Sequence, residues 1–96
     1  CHAPLDAPTR LALVKDGLPS LPLHHNCSGK HAGMLLACHL NHWDKQTYLQ
    51  LDHPLQQAIM ATMAELTGVP NLQTAVDGCS APTFYMPLHA LARLYH

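Results

Sequence analysis

His25-Asn26-Cys27-Ser28-Gly29-Lys30-His31-Ala32-Gly33 is the stretch on which the reading of this chain turns. A second segment answers it: Val76-Asp77-Gly78-Cys79-Ser80-Ala81-Pro82-Thr83. Cys27 and Lys30 are three residues apart, so at a helix start they share a face. Asp77 and Cys79 are two apart, so in an extended segment they point the same way. Two thiolates, a carboxylate and an amine suit a closed, four-coordinate metal site, with zinc–ligand distances of about 2.0–2.3 Å. The same groups suit a polar pocket that grips an amino-acid-like ligand. Lysine is an unusual ligand, because its amine must first lose a proton, a loss that a nearby divalent cation favours. The plainer reading makes Cys27 and Cys79 small buried residues, the commonest fate of an unpaired cysteine.

The surrounding composition sets bounds. The sequence has 96 residues, and charged residues are only 11% of it against 48% hydrophobic. About a quarter charged is usual for globular domains. So few charges imply a surface partly covered by more protein, and a homodimer is one way to cover it. A chain this short is expected to form one domain over residues 1–96. It begins at Cys1 rather than Met, which suggests a piece of something longer. The net charge of -1 offers no electrostatic case for nucleic acid or an anionic membrane. No apolar run approaches the roughly 20 residues that span a bilayer. Four cysteines without the dense turn texture of a secreted scaffold favour reduced thiols and a cytoplasmic setting.

Local patterns predict a mostly helical chain with short strands and loops. A helix over 9–16 is ended by Gly17. The prolines at 19 and 22 hold 18–23 extended. A helix over 30–41 carries Met34, Leu35 and Cys38 on one apolar stripe, which makes Cys38 a core residue. Asp52-His53-Pro54 starts the next helix, with Asp52 as its cap and proline in its first turn. Leu55, Ile59, Met63 and Leu66 then repeat at spacings of three and four until Gly68. Residues 69–75 read as loop or short strand, and 87–95 as a last helix. His39, His42, His89 and His96 fall at helix surfaces or ends, where a solvated imidazole is expected. Met60 and Met63 read as packing.

Two other chemistries are tested and fail. Ser28-Gly29-Lys30 has the end of a phosphate-binding loop without its upstream glycine, and His31 stands where Ser or Thr should meet magnesium. Serines occur at 20, 28 and 80, and none is followed three residues later by lysine, so no lysine-activated serine nucleophile is present in these residues.

At this point the motifs match a known pattern. Residues 25–34 closely resemble the signature of the bacterial L-asparaginase II family, the type similar to the inducible rhizobial asparaginase. Asp52-His53-Pro54-Leu55-Gln56 resembles that family's Asp-His-Pro-Val-Gln segment. Asp77-Gly78-Cys79-Ser80-Ala81-Pro82-Thr83-Phe84 resembles its Asp-Gly-Cys-Gly-x-Pro-Thr-Phe segment, and the opening Cys1-His2-Ala3-Pro4-Leu5 resembles a worn Cys-Gly-x-His-x-Pro. Order and approximate spacing agree over nearly the whole chain. The resemblance implies a fold similar to serine β-lactamases and penicillin-binding proteins, of which this chain would be the central part. It implies hydrolysis of L-asparagine to aspartate and ammonia. It also implies a metal site, usually zinc, whose ligands fall on Cys27, Lys30, Asp77 and Cys79. His31, Ser28 and Gly78 are the expected substrate-binding residues beside it.

The departures are as specific. The family's Ser-x-x-Lys nucleophile lies upstream of the matched region, so an isolated chain of these residues is expected not to turn over substrate. Ser80 stands where the family has glycine, a restriction on the backbone if that position needs a positive φ. Two readings without chemistry therefore compete with an enzyme: a metal-stabilised binding module, and a degenerate fragment whose thiols bind nothing. Asparagine and glutamine differ by one methylene, which pocket shape decides.

Overall fold

The computed structural model describes residues 2–95, so Cys1 and His96 lie outside the described residues, and with them the expectations for the first cysteine and the last histidine. The described chain is mostly helical with one two-stranded sheet. It divides into two compact units, residues 1–34 and 35–96.

In the first unit, α1 (Ala7–Lys15) begins two residues earlier than the periodicity predicts, because Asp6 caps it: its carboxylate accepts from Thr9 N at 3.0 Å. Pro8 sits in the first turn, where it needs no N–H. Gly17, at φ 64°, ends the helix, and Leu18 N donates back to Leu13 O at 2.9 Å. The prolines then produce a short 3-10 turn over Pro22–His24 within the segment expected to be wholly extended. Helix α2 (Ser28–Leu40) follows, running through residue 34 into the second unit's sequence.

The second unit holds the end of α2, then α3 (Pro54–Thr67), β1 (Gln73–Val76), β2 (Pro82–Tyr85) and α4 (Leu88–Arg93). Cys38 is fully buried, as its place on the α2 stripe predicts. Leu55, Leu72, Ala81 and Ala90 complete the apolar core. Met60 and Met63 are half-buried, whereas Leu66, on the predicted stripe of α3, is 56% exposed. The left-handed His42, at φ 58°, stops α2, and Trp43 N reaches back to Cys38 O at 2.9 Å.

Helix α3 starts differently from the sequence expectation. His53, not Asp52, is the N-cap: its Nδ1 accepts from Leu55 N at 3.1 Å. Its Nε2 donates to Asp44 O at 2.9 Å, and Trp43 meets the ring edge-on at 6.4 Å between centroids. With one nitrogen accepting and the other donating, the buried imidazole is held in one orientation. Gln56, also buried, donates from Nε2 to Tyr48 O at 2.8 Å. These two side chains tie the 41–53 loop to α3. At the other end Gly68, at φ 71°, caps the helix, and Arg93 Nη1 of α4 donates to Thr67 O at 3.2 Å.

Strands β1 and β2 pair antiparallel, with Gln73 opposite Tyr85 and Val76 opposite Pro82. Pro82 lies at the first position of its strand, where a missing N–H does least harm. Helix α4 covers only Leu88–Arg93 of the predicted 87–95, and Tyr95 at its end is 86% exposed. Leu36, Leu40 and Leu88 are likewise more than half exposed.

One carboxyl and one phenol of this unit are shifted from their ordinary values. The Thr47 hydroxyl, 2.5 Å from Asp44 Oδ2, holds that carboxylate below its usual value of 3.8, helped by the backbone N–H groups of Gln46 and Thr47. A carboxyl depressed by folding contributes stability that is present above pH 3.8 and lost as the pH falls through its folded value. Burial, and after it the neighbouring Cys79 and Cys38, raise the Tyr48 phenol above 10.0. Its contribution is present below pH 10.0 and lost as the pH rises through its folded value. Thr47→Val is expected to flatten the acid limb of a denaturant-midpoint-versus-pH curve, and Tyr48→Phe the alkaline limb.

Candidate metal centre

The first motif is built by imidazole capping. His25 Nδ1 accepts from Cys27 N at 3.0 Å, and His25 O accepts from Ser28 N at 2.9 Å. The turn so formed delivers Cys27 to the mouth of α2, where its carbonyl takes the helical bond from His31 N at 3.1 Å. Cys27 is half-buried and Lys30 is exposed in the first helical turn, one turn from the cysteine as predicted. Ser28 and His31 are half-buried in the same turn. The His2 ring lies against His25, 4.2 Å between centroids. His24 Nδ1 accepts from Leu21 N at 3.0 Å, so it shapes the approach to the motif from its own 3-10 turn.

The second motif is a hairpin loop, not the extended segment its spacing suggests. Asp77 N donates to Ala81 O at 2.8 Å, and Ser80 N donates to Asp77 O at 2.8 Å. Three loop residues, with the third in the left-handed region, make a common hairpin connection. Ser80 occupies that third place at φ 70°. The loop still brings Asp77 and Cys79 together: the Cys79 thiol donates to Asp77 Oδ2 at 3.6 Å. Asp77 Oδ1 accepts from Gly78 N at 2.6 Å, which fixes the rotation of the carboxylate. A β-carbon on Gly78 would meet open space, so the glycine leaves the loop uncovered on that side.

Asp77 and Cys79 fit a shared ion. An oxygen and a sulfur bound tetrahedrally to one zinc stand about 3.5 Å apart, from bond lengths near 2.0 and 2.3 Å. The observed separation is 3.6 Å. Cys27, Cys38 and Cys79 are thiols, not disulfides. Tyr48 had no signal in the sequence, yet its phenol feels both Cys79 and Cys38. Only folding brings residue 48 near residue 79.

The family model for L-asparaginase II matches residues 1–96, and the chain belongs to that family. A search of curated proteins finds no match. No helix among the described residues is long and apolar enough to cross a membrane. Membership assigns asparaginase-like chemistry at the level of the family, with a small-molecule substrate.

Proposed function

We propose that this chain supplies the metal-binding side of an asparaginase pocket, in which L-asparagine is hydrolysed to L-aspartate and ammonia. In this reading Cys27 and Lys30 from the start of α2, and Asp77 and Cys79 from the hairpin loop, hold one zinc ion. The observation that supports it most is the Asp77–Cys79 pair, which stands at the separation one tetrahedral ion requires. Lys30, in the first turn of α2, is the fourth donor of the proposed set. The enclosing fold proposed is that of the serine β-lactamases and penicillin-binding proteins.

When bound, zinc supplies Lewis acidity and a fixed orientation for the polar groups of the substrate. His31 and Ser28, in the first turn of α2, offer the hydrogen-bonding side chains nearest the proposed ligands in sequence. Gly78 leaves backbone room beside Asp77. No serine–lysine nucleophile pair occurs in these 96 residues, so the acyl-transfer step falls to a serine outside them.

A metal-held binding module without chemistry is the second reading, and the thin core favours it. Cys38, Leu55, Leu72, Ala81 and Ala90 are the buried apolar residues of the second unit. Elemental analysis of protein purified under reducing conditions tests both readings. About one zinc per chain is expected, lost in the double variant Cys27→Ser, Cys79→Ser. Calorimetry with L-asparagine on the zinc-loaded protein separates them: heat of binding supports the pocket, and a flat titration supports the module. Absence of metal from the unsubstituted chain would overturn both.

A further inference from the structure

We infer that Ser80 is a positioning residue, whose left-handed backbone closes the 77–81 loop and so sets the Asp77–Cys79 donor pair at the separation that one divalent ion needs. The inference rests on the reading that these two residues bind metal. It concerns what holds them there.

The loop has little else to hold it. Its closure consists of two backbone bonds, Asp77 N to Ala81 O and Ser80 N to Asp77 O, each 2.8 Å. The second is set by residues 78 and 79, but the first also requires the chain to reverse at residue 80, which it does with φ at 70°. That region is reached freely by glycine, with some tolerance by asparagine, and at clear cost by other residues. A β-branched residue there is a genuine outlier. The Ser80 hydroxyl makes no hydrogen bond among the described residues, and the residue is exposed. What position 80 contributes is therefore its backbone conformation. Without that reversal the bond from Asp77 N to Ala81 O is lost, and the hairpin closure that anchors Asp77 while Cys79 faces its carboxylate at 3.6 Å is lost with it.

The test is cobalt(II) titration of the full chain under reducing conditions, reading affinity together with the thiolate-to-cobalt charge-transfer band per bound ion. The series is Ser80→Gly, Ser80→Asn and Ser80→Val. Affinity is expected to follow tolerance for the left-handed region: glycine at least as tight as serine, asparagine within about two-fold of serine, and valine weaker by roughly ten-fold. The valine variant should also show a weaker charge-transfer band at saturation, a signature of a displaced Cys79 that lowered stability alone would not give. Far-ultraviolet circular dichroism should stay the same throughout, because the loop contributes no helix.

A valine variant that binds cobalt as tightly as the unsubstituted chain, with the same band, would overturn the inference. So would glycine and asparagine variants that both bind more weakly than serine, which would assign the role to the hydroxyl. If the unsubstituted chain binds no cobalt, the metal reading itself falls and this inference falls with it. A flat series with tight binding removes only the role of Ser80.

Discussion

His53→Ala is expected to destabilise the chain by about 2–4 kcal/mol, measured as a lower midpoint in urea. Loss of an N-cap costs about 1 kcal/mol. The remainder comes from the partners left behind, since a buried donor or acceptor without its mate costs about 1–3 kcal/mol. Leu55 N loses Nδ1 at 3.1 Å, and Asp44 O loses Nε2 at 2.9 Å. His53 is only 6% exposed, so water does not readily replace either bond. His53→Asn separates the two contributions. Asparagine is a good cap, but it is too short to span from the helix start to Asp44. About half of the loss should therefore return. If His53→Ala changes the midpoint no more than an exposed substitution such as Gln57→Ala, the imidazole is not what joins the loop to α3.

The second large effect is expected at the far end of the same helix. Gly68→Ala should cost about 2–3 kcal/mol. A non-glycine residue in the left-handed region costs about 1–2 kcal/mol, and Gly68 stands there at φ 71°. A β-carbon at this position would lie 2.7 Å from Arg93 Nη1. The guanidinium must then move away from Thr67 O, which it now reaches at 3.2 Å, and the C-terminus of α3 loses a cation that complements its dipole. Arg93→Ala alone should cost about 1 kcal/mol. In that background Gly68→Ala should cost less than it does alone, because only the backbone strain remains. Additive effects in the double variant would mean that the two residues act independently.

Zinc loss in the cysteine double variant and the position-80 series bear on the site. The helix-end variants bear on the scaffold that presents it. The two sets are connected through α3: its start is tied to the loop carrying Tyr48, and Tyr48 lies beside Cys79.

Much of the local architecture was legible from sequence because it depends on short-range chemistry. Gly17 and Gly68 end their helices as expected, since a left-handed residue is needed there and glycine adopts it without a steric cost. Cys38 is core because its stripe on α2 makes it so. The family could be read from three motifs in order, and the family match over residues 1–96 bears that out. The spacing of Ser80 against a family glycine correctly raised the question of a positive φ, and the residue adopts one at 70°.

Other features were decided only when distant segments met. Asp52 has the better capping side chain on propensity, yet His53 caps α3, because the carbonyl of Asp44 accepts its second nitrogen and packing around Trp43 covers the ring. Residues 69–75 read from sequence only as loop or short strand. Pairing supplied what four-residue strands lack alone, since backbone groups of β1 are satisfied by those of β2. That pairing turned Asp77-Gly78-Cys79 into a loop, so the carboxylate and the thiol meet by chain reversal and not by strand alternation. Sequence spacing determined which donors this chain has and which helix starts and stops surround them. Tertiary structure decided how Asp77 faces Cys79 and which imidazole holds α3, because both depend on hydrogen bonds whose partners are not sequence neighbours and whose strength comes from burial.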